Sequence, residues 1–158
     1  MQRFVLIPVL FLIMSSSLEA AKLKTEIQGI WSVQKIETTE QSLNLMMQGR
    51  DFSNLLVEFT KSGFVLISGK DIKTKYSVEK DRIILSEGMV KKITRPEVKA
   101  NIKSGSLTVN LSADLVKQVL LTVKDQYLKS GGEVFIAKMI ENIAQSNNIE
   151  AVIILKRK

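Results

Sequence analysis

The 158-residue sequence contains no cysteine and no histidine. A Ser-His-Asp triad and a cysteine nucleophile are therefore excluded, and so is any zinc, copper or haem site whose ligands are His or Cys. No disulfide can form, although exported eukaryotic domains of this size often carry them. This absence favours a bacterial envelope protein whose stability depends on its hydrophobic core.

The acidic residues are poorly arranged for catalysis. Carboxylate pairs, Ser-Lys dyads and magnesium or calcium held by oxygen ligands are the chemistries that remain open. The acidic residues occur singly, mostly at turn or outward positions, and no Asp-x-Asp loop is present. Ser-Lys neighbours such as Lys103 and Ser104 are expected by chance in a lysine-rich chain. We therefore expect a protein that is not an enzyme, with no cofactor and no metal.

The N-terminus has the pattern of an export signal. Arg3 precedes an apolar run, Phe4–Met14, and a stretch rich in small residues follows and ends at Ala20. The run is shorter than a membrane-spanning helix requires, so we predict a signal peptide over residues 1–20, cleaved after Ala20 or Ala21. An uncleaved anchor is the alternative. No cysteine follows the run, so a lipoprotein is excluded and the protein is expected in the periplasm or secreted.

The remaining chain, residues 21–158, is expected to fold as one domain. It contains no second apolar run long enough to span a membrane. The formal net charge of +7 favours acidic partners such as nucleic acid, anionic lipid or a polyanionic glycan. The lysines are scattered over predicted outward positions, which is also typical of a solvated surface, and nucleic acid is not expected for an exported protein. Those outward positions include Lys73, Lys75, Lys99 and Lys103.

Alternation of apolar and polar residues predicts a series of short strands joined by tight turns. The segment from Asn54 to Leu111 shows this pattern throughout. Residues 149–155 form a nearly continuous apolar run that is typical of a strand buried on both faces. Eight strands are predicted, or nine if residues 89–93 form one. The predicted strands lie at residues 27–36, 54–59, 64–67, 72–78, 82–85, 89–93, 98–102, 107–111 and 149–155.

Between the last two strands the apolar spacing becomes helical. Ser112 is a favourable N-cap, with Asp114 in the first turn, and residues 129–132 end the first helix before a second begins at Glu133. We expect the pair to cover one side or one mouth of the sheet, and a membrane-surface or partner-binding pair is the alternative. The apolar stripes are Leu115, Val116, Val119, Leu120, Val123 and Tyr127, then Phe135, Ile136, Met139, Ile140 and Ile143.

The connection from Thr38 to Ser53 interrupts the strand rhythm. One or two helical turns are predicted over residues 41–47, ending at Gly49. One interpretation is a lid over a pocket, because methionine side chains such as Met47 adapt to varied apolar shapes. The other is an ordinary connection that packs on the end of the sheet.

Sequential antiparallel strands of this number remove their edges most simply by closing into an up-and-down barrel. Gly29-Ile30-Trp31 resembles the Gly-x-Trp signature of lipocalins, and the layout is similar to small lipocalin-like proteins exported by bacteria. The resemblance implies a mainly β fold with two α-helices, an antiparallel up-and-down β-barrel with the helical pair before the last strand. The other matching segments are Phe59–Gly63, Tyr76–Val78, Ile83–Leu85 and Gly105–Val109.

Two functional hypotheses follow. In the first, the barrel binds a small apolar or amphipathic ligand, with the Tyr76 hydroxyl orienting it and small inward residues, Thr74 and Ala100, leaving space. In the second, the interior is simply filled, Gly29 and Trp31 plug one end, and the basic surface contacts an envelope protein, a glycan or anionic lipid. The predicted ligand-binding residues are Leu55, Val57, Phe59, Leu66, Tyr76, Val78, Ala100, Ile102, Leu107 and Val109.

Overall fold

A computed structural model describes residues 18, 20–67, 72–86, 96–145 and 148–158. Eight antiparallel strands, each bonded to its sequence neighbours, form a closed barrel. The predicted fold class is confirmed, and two short helices precede the predicted pair. The strands are β1 Gly29–Thr38, β2 Leu56–Phe59, β3 Phe64–Ile67, β4 Ile72–Glu79, β5 Arg82–Leu85, β6 Glu97–Lys103, β7 Ser106–Leu111 and β8 Ala151–Arg157. The helices are α1 over residues 20–26, α2 Gln41–Met47, α3 Ala113–Lys129 and α4 Val134–Gln145.

Two predictions lie outside the described residues: the apolar run at residues 4–14 and the optional strand at residues 89–93. Within the described part of the chain, no helix combines the length and apolar content needed to cross a bilayer.

The barrel closes through β1, which pairs with β2 on one side and with β8 on the other. Trp31 lies opposite both Val57 and Arg157 in this register. A β-bulge at Gln34 shifts the pairing with β8 by one residue. Without it, the alternation that points Val33 inward would also point Lys35 inward. The bulge instead directs Ile36 toward the core, opposite the inward residue of β8.

One end of the barrel, which we call the closed end, is sealed around Trp31. The indole is fully buried and its Nε1–H donates a hydrogen bond of 2.7 Å to the Ile27 carbonyl. The Arg157 guanidinium lies 4.7 Å from the indole ring and donates to the Gln28 and Glu26 carbonyls. These contacts fasten the first strand, the last strand and the N-terminal segment to one another.

Gly29 allows this close approach. Its φ of +122° is one that side-chain-bearing residues rarely adopt, and a Cβ there would lie 3.1 Å from Arg157 Nη1. Any larger residue would therefore push the guanidinium away from the ring.

The segment before β1 carries a short helix that the sequence pattern did not predict. Residues 20–26 are helical, and Leu23 and Ile27 are buried in the barrel core. These two apolar residues are four positions apart and so share one face of a helix. Helix α1 and the residue that follows it therefore cover the closed end through these two apolar side chains.

The other end, which we call the mouth, is partly roofed by three helices. Ser112 caps α3 as predicted, its hydroxyl accepting a hydrogen bond from the Leu115 amide at 3.4 Å. A second core joins α2, α3, α4 and the start of β8, and half-buried Leu111 contacts both this cluster and the main core. The second core consists of Leu43, Val116, Ile143, Ile149 and Ala151.

The apolar stripes of α3 and α4 cover the barrel only in part. Leu115 and Val116, in the first turn of α3, are buried, whereas Val123 is 46% and Phe135 73% exposed. The pair therefore covers the mouth with only part of each stripe. Helix α3 also packs against α4 along its length.

Leu66 was predicted to face the barrel interior, and the register shows that it does not. It lies opposite Glu58 on β2 and Lys73 on β4, both polar residues of the outer wall. Its neighbour Val65 is the inward residue, paired with Phe59 and buried in the core. Because adjacent residues on a strand face opposite sides, Leu66 belongs to the outer face.

We predict that Arg157→Ala lowers the free energy of unfolding by about 2 kcal/mol, because it removes the contact with the indole and two charged hydrogen bonds. Lys156→Ala, one residue earlier and exposed, is the control and is expected to change stability by less than about 0.5 kcal/mol. Urea unfolding followed by the fluorescence of Trp31 measures both. Equal effects of the two substitutions would contradict the proposed seal.

We predict that Val65→Lys destabilises the fold by more than about 3 kcal/mol, because it places an unpaired charge in the core. Leu66→Lys is expected to cost less than about 1 kcal/mol, since the ammonium group would lie beside Glu58 on the outer wall. Thermal unfolding followed by circular dichroism compares the two. A larger loss from Leu66→Lys would show that the register is wrong.

Candidate functional site

The middle of the barrel is filled by packed side chains. Phe59 meets Tyr76 edge to face, with ring centroids 5.2 Å apart. Both belong to the main core, Phe59 buried and Tyr76 half-buried. The other buried inward residues at this level include Val65, Ile83, Ala100, Leu107 and Leu155.

The polar groups of the interior already have partners. The Tyr76 hydroxyl donates to the Thr60 carbonyl at 3.1 Å, and partial burial raises the pKa of Tyr76. The Thr74 hydroxyl donates to the Ser86 carbonyl at 3.0 Å. Neither group therefore needs a ligand to complete its hydrogen bonding. This arrangement supports a structural role for Tyr76 and Thr74.

The interior is accessible instead at the mouth. Several apolar residues that face inward there, among them Leu55 and Val109, are only half-buried. The pairing of β1 with β2 ends at Ser32, opposite Leu56, so the second half of β1 has no partner on β2. The half-buried inward residues of this region also include Ile36, Phe52, Leu111 and Ile153.

A cavity of about 610 Å³ lies at the mouth, between the second half of β1 and the connection from α2 to β2. Its apolar lining consists of Ile36, Met47 and Phe52. Ile36 and Phe52 also pack against the main core, so the apolar part of the cavity lies directly on the packed interior. Its polar rim includes Gln34, Asn44, Gln48 and Arg50.

The part of the cavity wall formed by α2 is hydrogen-bonded to β1 through Asn44, near the middle of the helix. Its amide Nδ2 donates to the Thr38 carbonyl at 2.7 Å, and its Oδ1 accepts from the Thr38 amide at 2.8 Å. Leu43 on the same helix is buried in the second core. Helix α2 is therefore fixed to both the end of β1 and the helical roof.

The part of the cavity wall that follows Gly49 is hydrogen-bonded to the first half of β1. The Ser32 hydroxyl donates to the Ser53 carbonyl at 2.7 Å, and the Asp51 carboxylate accepts from the Ser53 amide at 2.8 Å. This hydrogen bond to the charged carboxylate lowers the pKa of Asp51. The connection thus packs on the barrel end, as one of the two interpretations expected, and it also encloses the cavity.

The residues predicted to bind a ligand are not the ones that line this cavity. Nine of the ten face inward, and Leu66 is the exception. Phe59, Ala100 and Leu107 are buried in the packed layer. Ala100 and Ile102 line a separate cavity of about 470 Å³ beside α1. The half-buried ones are Leu55, Val57, Tyr76, Val78, Ile102 and Val109.

The lining residues that the sequence did not identify are Ile36, Met47 and Phe52. One signal pointed toward them: Met47 belonged to the connection that could be interpreted as a lid. Only the bulge at Gln34 makes both Val33 and Ile36 inward, and a bulge has no reliable local signature.

No protein-family model matches the chain, and searches of curated proteins and of solved structures found no significant match. The resemblance to lipocalins therefore depends on the closed eight-stranded up-and-down barrel and on the placement of Gly29 and Trp31 in its first strand.

Proposed function

We propose that this protein binds a small apolar or amphipathic molecule at the barrel mouth and performs no catalysis. The observation that carries the proposal is the cavity of about 610 Å³, whose apolar side chains Ile36 and Phe52 rest on the main core. Its volume falls in the range of roughly 300–1,000 Å³ that is typical of small-molecule sites.

The cavity suggests how the ligand is oriented. Apolar atoms would pack against Ile36, Met47 and Phe52, where they displace water from half-buried surface. Polar atoms would remain at the rim, near Asn44 and the Arg50 guanidinium. The packed layer at Phe59 limits how deep the ligand reaches, so a compact molecule or a short chain fits better than a long one.

The place of action that we propose is the bacterial envelope. The support is the apolar run Phe4–Met14 after Arg3, followed by small residues up to Ala20, which is typical of a signal peptide. Without cysteine, the chain can form neither correct nor incorrect disulfides in an oxidising compartment.

We predict that Gln48→Trp weakens binding of the apolar fluorescent probe N-phenyl-1-naphthylamine by at least about tenfold, or about 1.4 kcal/mol. Gln48 is exposed on the cavity rim, so an indole there would occupy the mouth without entering the folded core. Probe fluorescence titrated with protein gives the dissociation constants.

The matched control is Gln41→Trp. Gln41 is also exposed and lies at the other end of α2, outside the cavity lining. It is expected to leave the dissociation constant within about twofold of the unsubstituted value. Equal weakening by both variants, or by neither, would show that the probe does not bind at the mouth.

We also expect native mass spectrometry of the protein, purified from its own host without detergent, to show a reproducible adduct of one small molecule. Gln48→Trp should reduce the adduct and Gln41→Trp should retain it, because only Gln48 lines the cavity. A chain that carries no adduct and binds no apolar probe would contradict the proposed function.

A further inference from the structure

Among the described residues, the positive and negative charges are unevenly distributed between the two ends of the barrel. Five segments meet at the closed end: residues 20–28, 60–63, 79–81, 103–105 and 156–158. Together they carry eight basic and three acidic side chains. The remaining described residues carry ten basic and ten acidic side chains. The net positive charge of the described chain is therefore located at this end.

Three basic side chains of the closed end are clearly available to a partner. Lys61 and Lys80 lie in hairpin turns and Lys103 ends β6 beside another turn. All three are exposed, and none forms an ion pair with another described residue. Lys22 has only a long contact of 4.0 Å with Glu26. A cluster of unneutralised charge repels itself, and an acidic partner would relieve that repulsion.

We propose that the closed end docks on an anionic lipid surface. The eight basic groups come from hairpin turns, α1, and the ends of β6 and β8, so they spread over the whole end of the barrel. Such a surface suits a membrane better than a single small anion. Among these groups, Lys22 and Lys80 also line the cavity beside α1. The basic groups are Lys22, Lys24, Lys61, Lys80, Lys103, Lys156, Arg157 and Lys158.

Two further observations favour lipid over nucleic acid. The five segments of the closed end contain no aromatic residue, whereas proteins that bind single strands stack bases on aromatic rings. The chain also enters the barrel at this end, through α1, only a few residues after the apolar run Phe4–Met14. While that run is attached, the closed end is therefore the part of the barrel nearest to the bilayer.

The test uses the exported chain, expressed with its own N-terminal segment and defined by intact mass, in co-sedimentation with vesicles. We expect binding to phosphatidylglycerol vesicles at about 50 mM salt, a severalfold loss at about 300 mM salt, and little binding to phosphatidylcholine vesicles. The triple variant Lys61→Glu, Lys80→Glu, Lys103→Glu is expected to bind phosphatidylglycerol at least about tenfold more weakly.

The control variant, Lys117→Glu, Lys129→Glu, Lys138→Glu, changes the net charge equally at exposed positions of the helical pair. It should retain binding within about threefold, since these lysines lie away from the closed end. Equal loss in both variants, equal binding to both vesicle types, or stronger retention on single-stranded DNA than on phosphatidylglycerol would overturn the proposal. Probe binding at the mouth should be unchanged in both variants, which separates this outcome from the proposed function.

Discussion

The barrel depends on the burial of one indole. Trp31 places the largest side chain of β1 where the first strand, the last strand and α1 meet, and its only polar atom is bonded to the Ile27 carbonyl. Burial without that acceptor would leave an unsatisfied donor in the core. The Arg157 guanidinium then covers the ring and ties β8 to the N-terminal segment. The same contacts therefore join β1 to β8 and seal one end of the barrel.

The local alternation of apolar and polar residues was sufficient to predict the barrel. It was not sufficient to predict which residues of every strand point inward. Alternation identifies a strand face wherever polar residues separate apolar ones, as in β4 and β6. In β3, four apolar residues follow one another, so the local pattern does not say whether Val65 or Leu66 points inward. The decision comes from the partners across the sheet, Glu58 and Lys73, whose pairing depends on the whole barrel.

The candidate site was harder to predict than the fold because it depends on two non-local features. The bulge at Gln34 exists only in relation to β8, and it brings Ile36 inward. The second feature is the return of the chain from α2, which places Met47 and Phe52 over that strand. Tyr76 was predicted to bind a ligand because its hydroxyl is a polar group among apolar inward residues. In the folded chain the hydroxyl of Tyr76 is bonded to the backbone of a neighbouring turn.

The sealed end and the open mouth divide the surface into two regions with different chemistry. The packed layer around Phe59 and Leu107 lies between them, and well-packed interiors deform little. A ligand at the mouth and a membrane at the closed end would therefore act on separate surfaces. Docking by the closed end would direct the mouth and the helices α3 and α4 away from the bilayer. A ligand could then exchange with the surrounding solution while the barrel stays on the membrane.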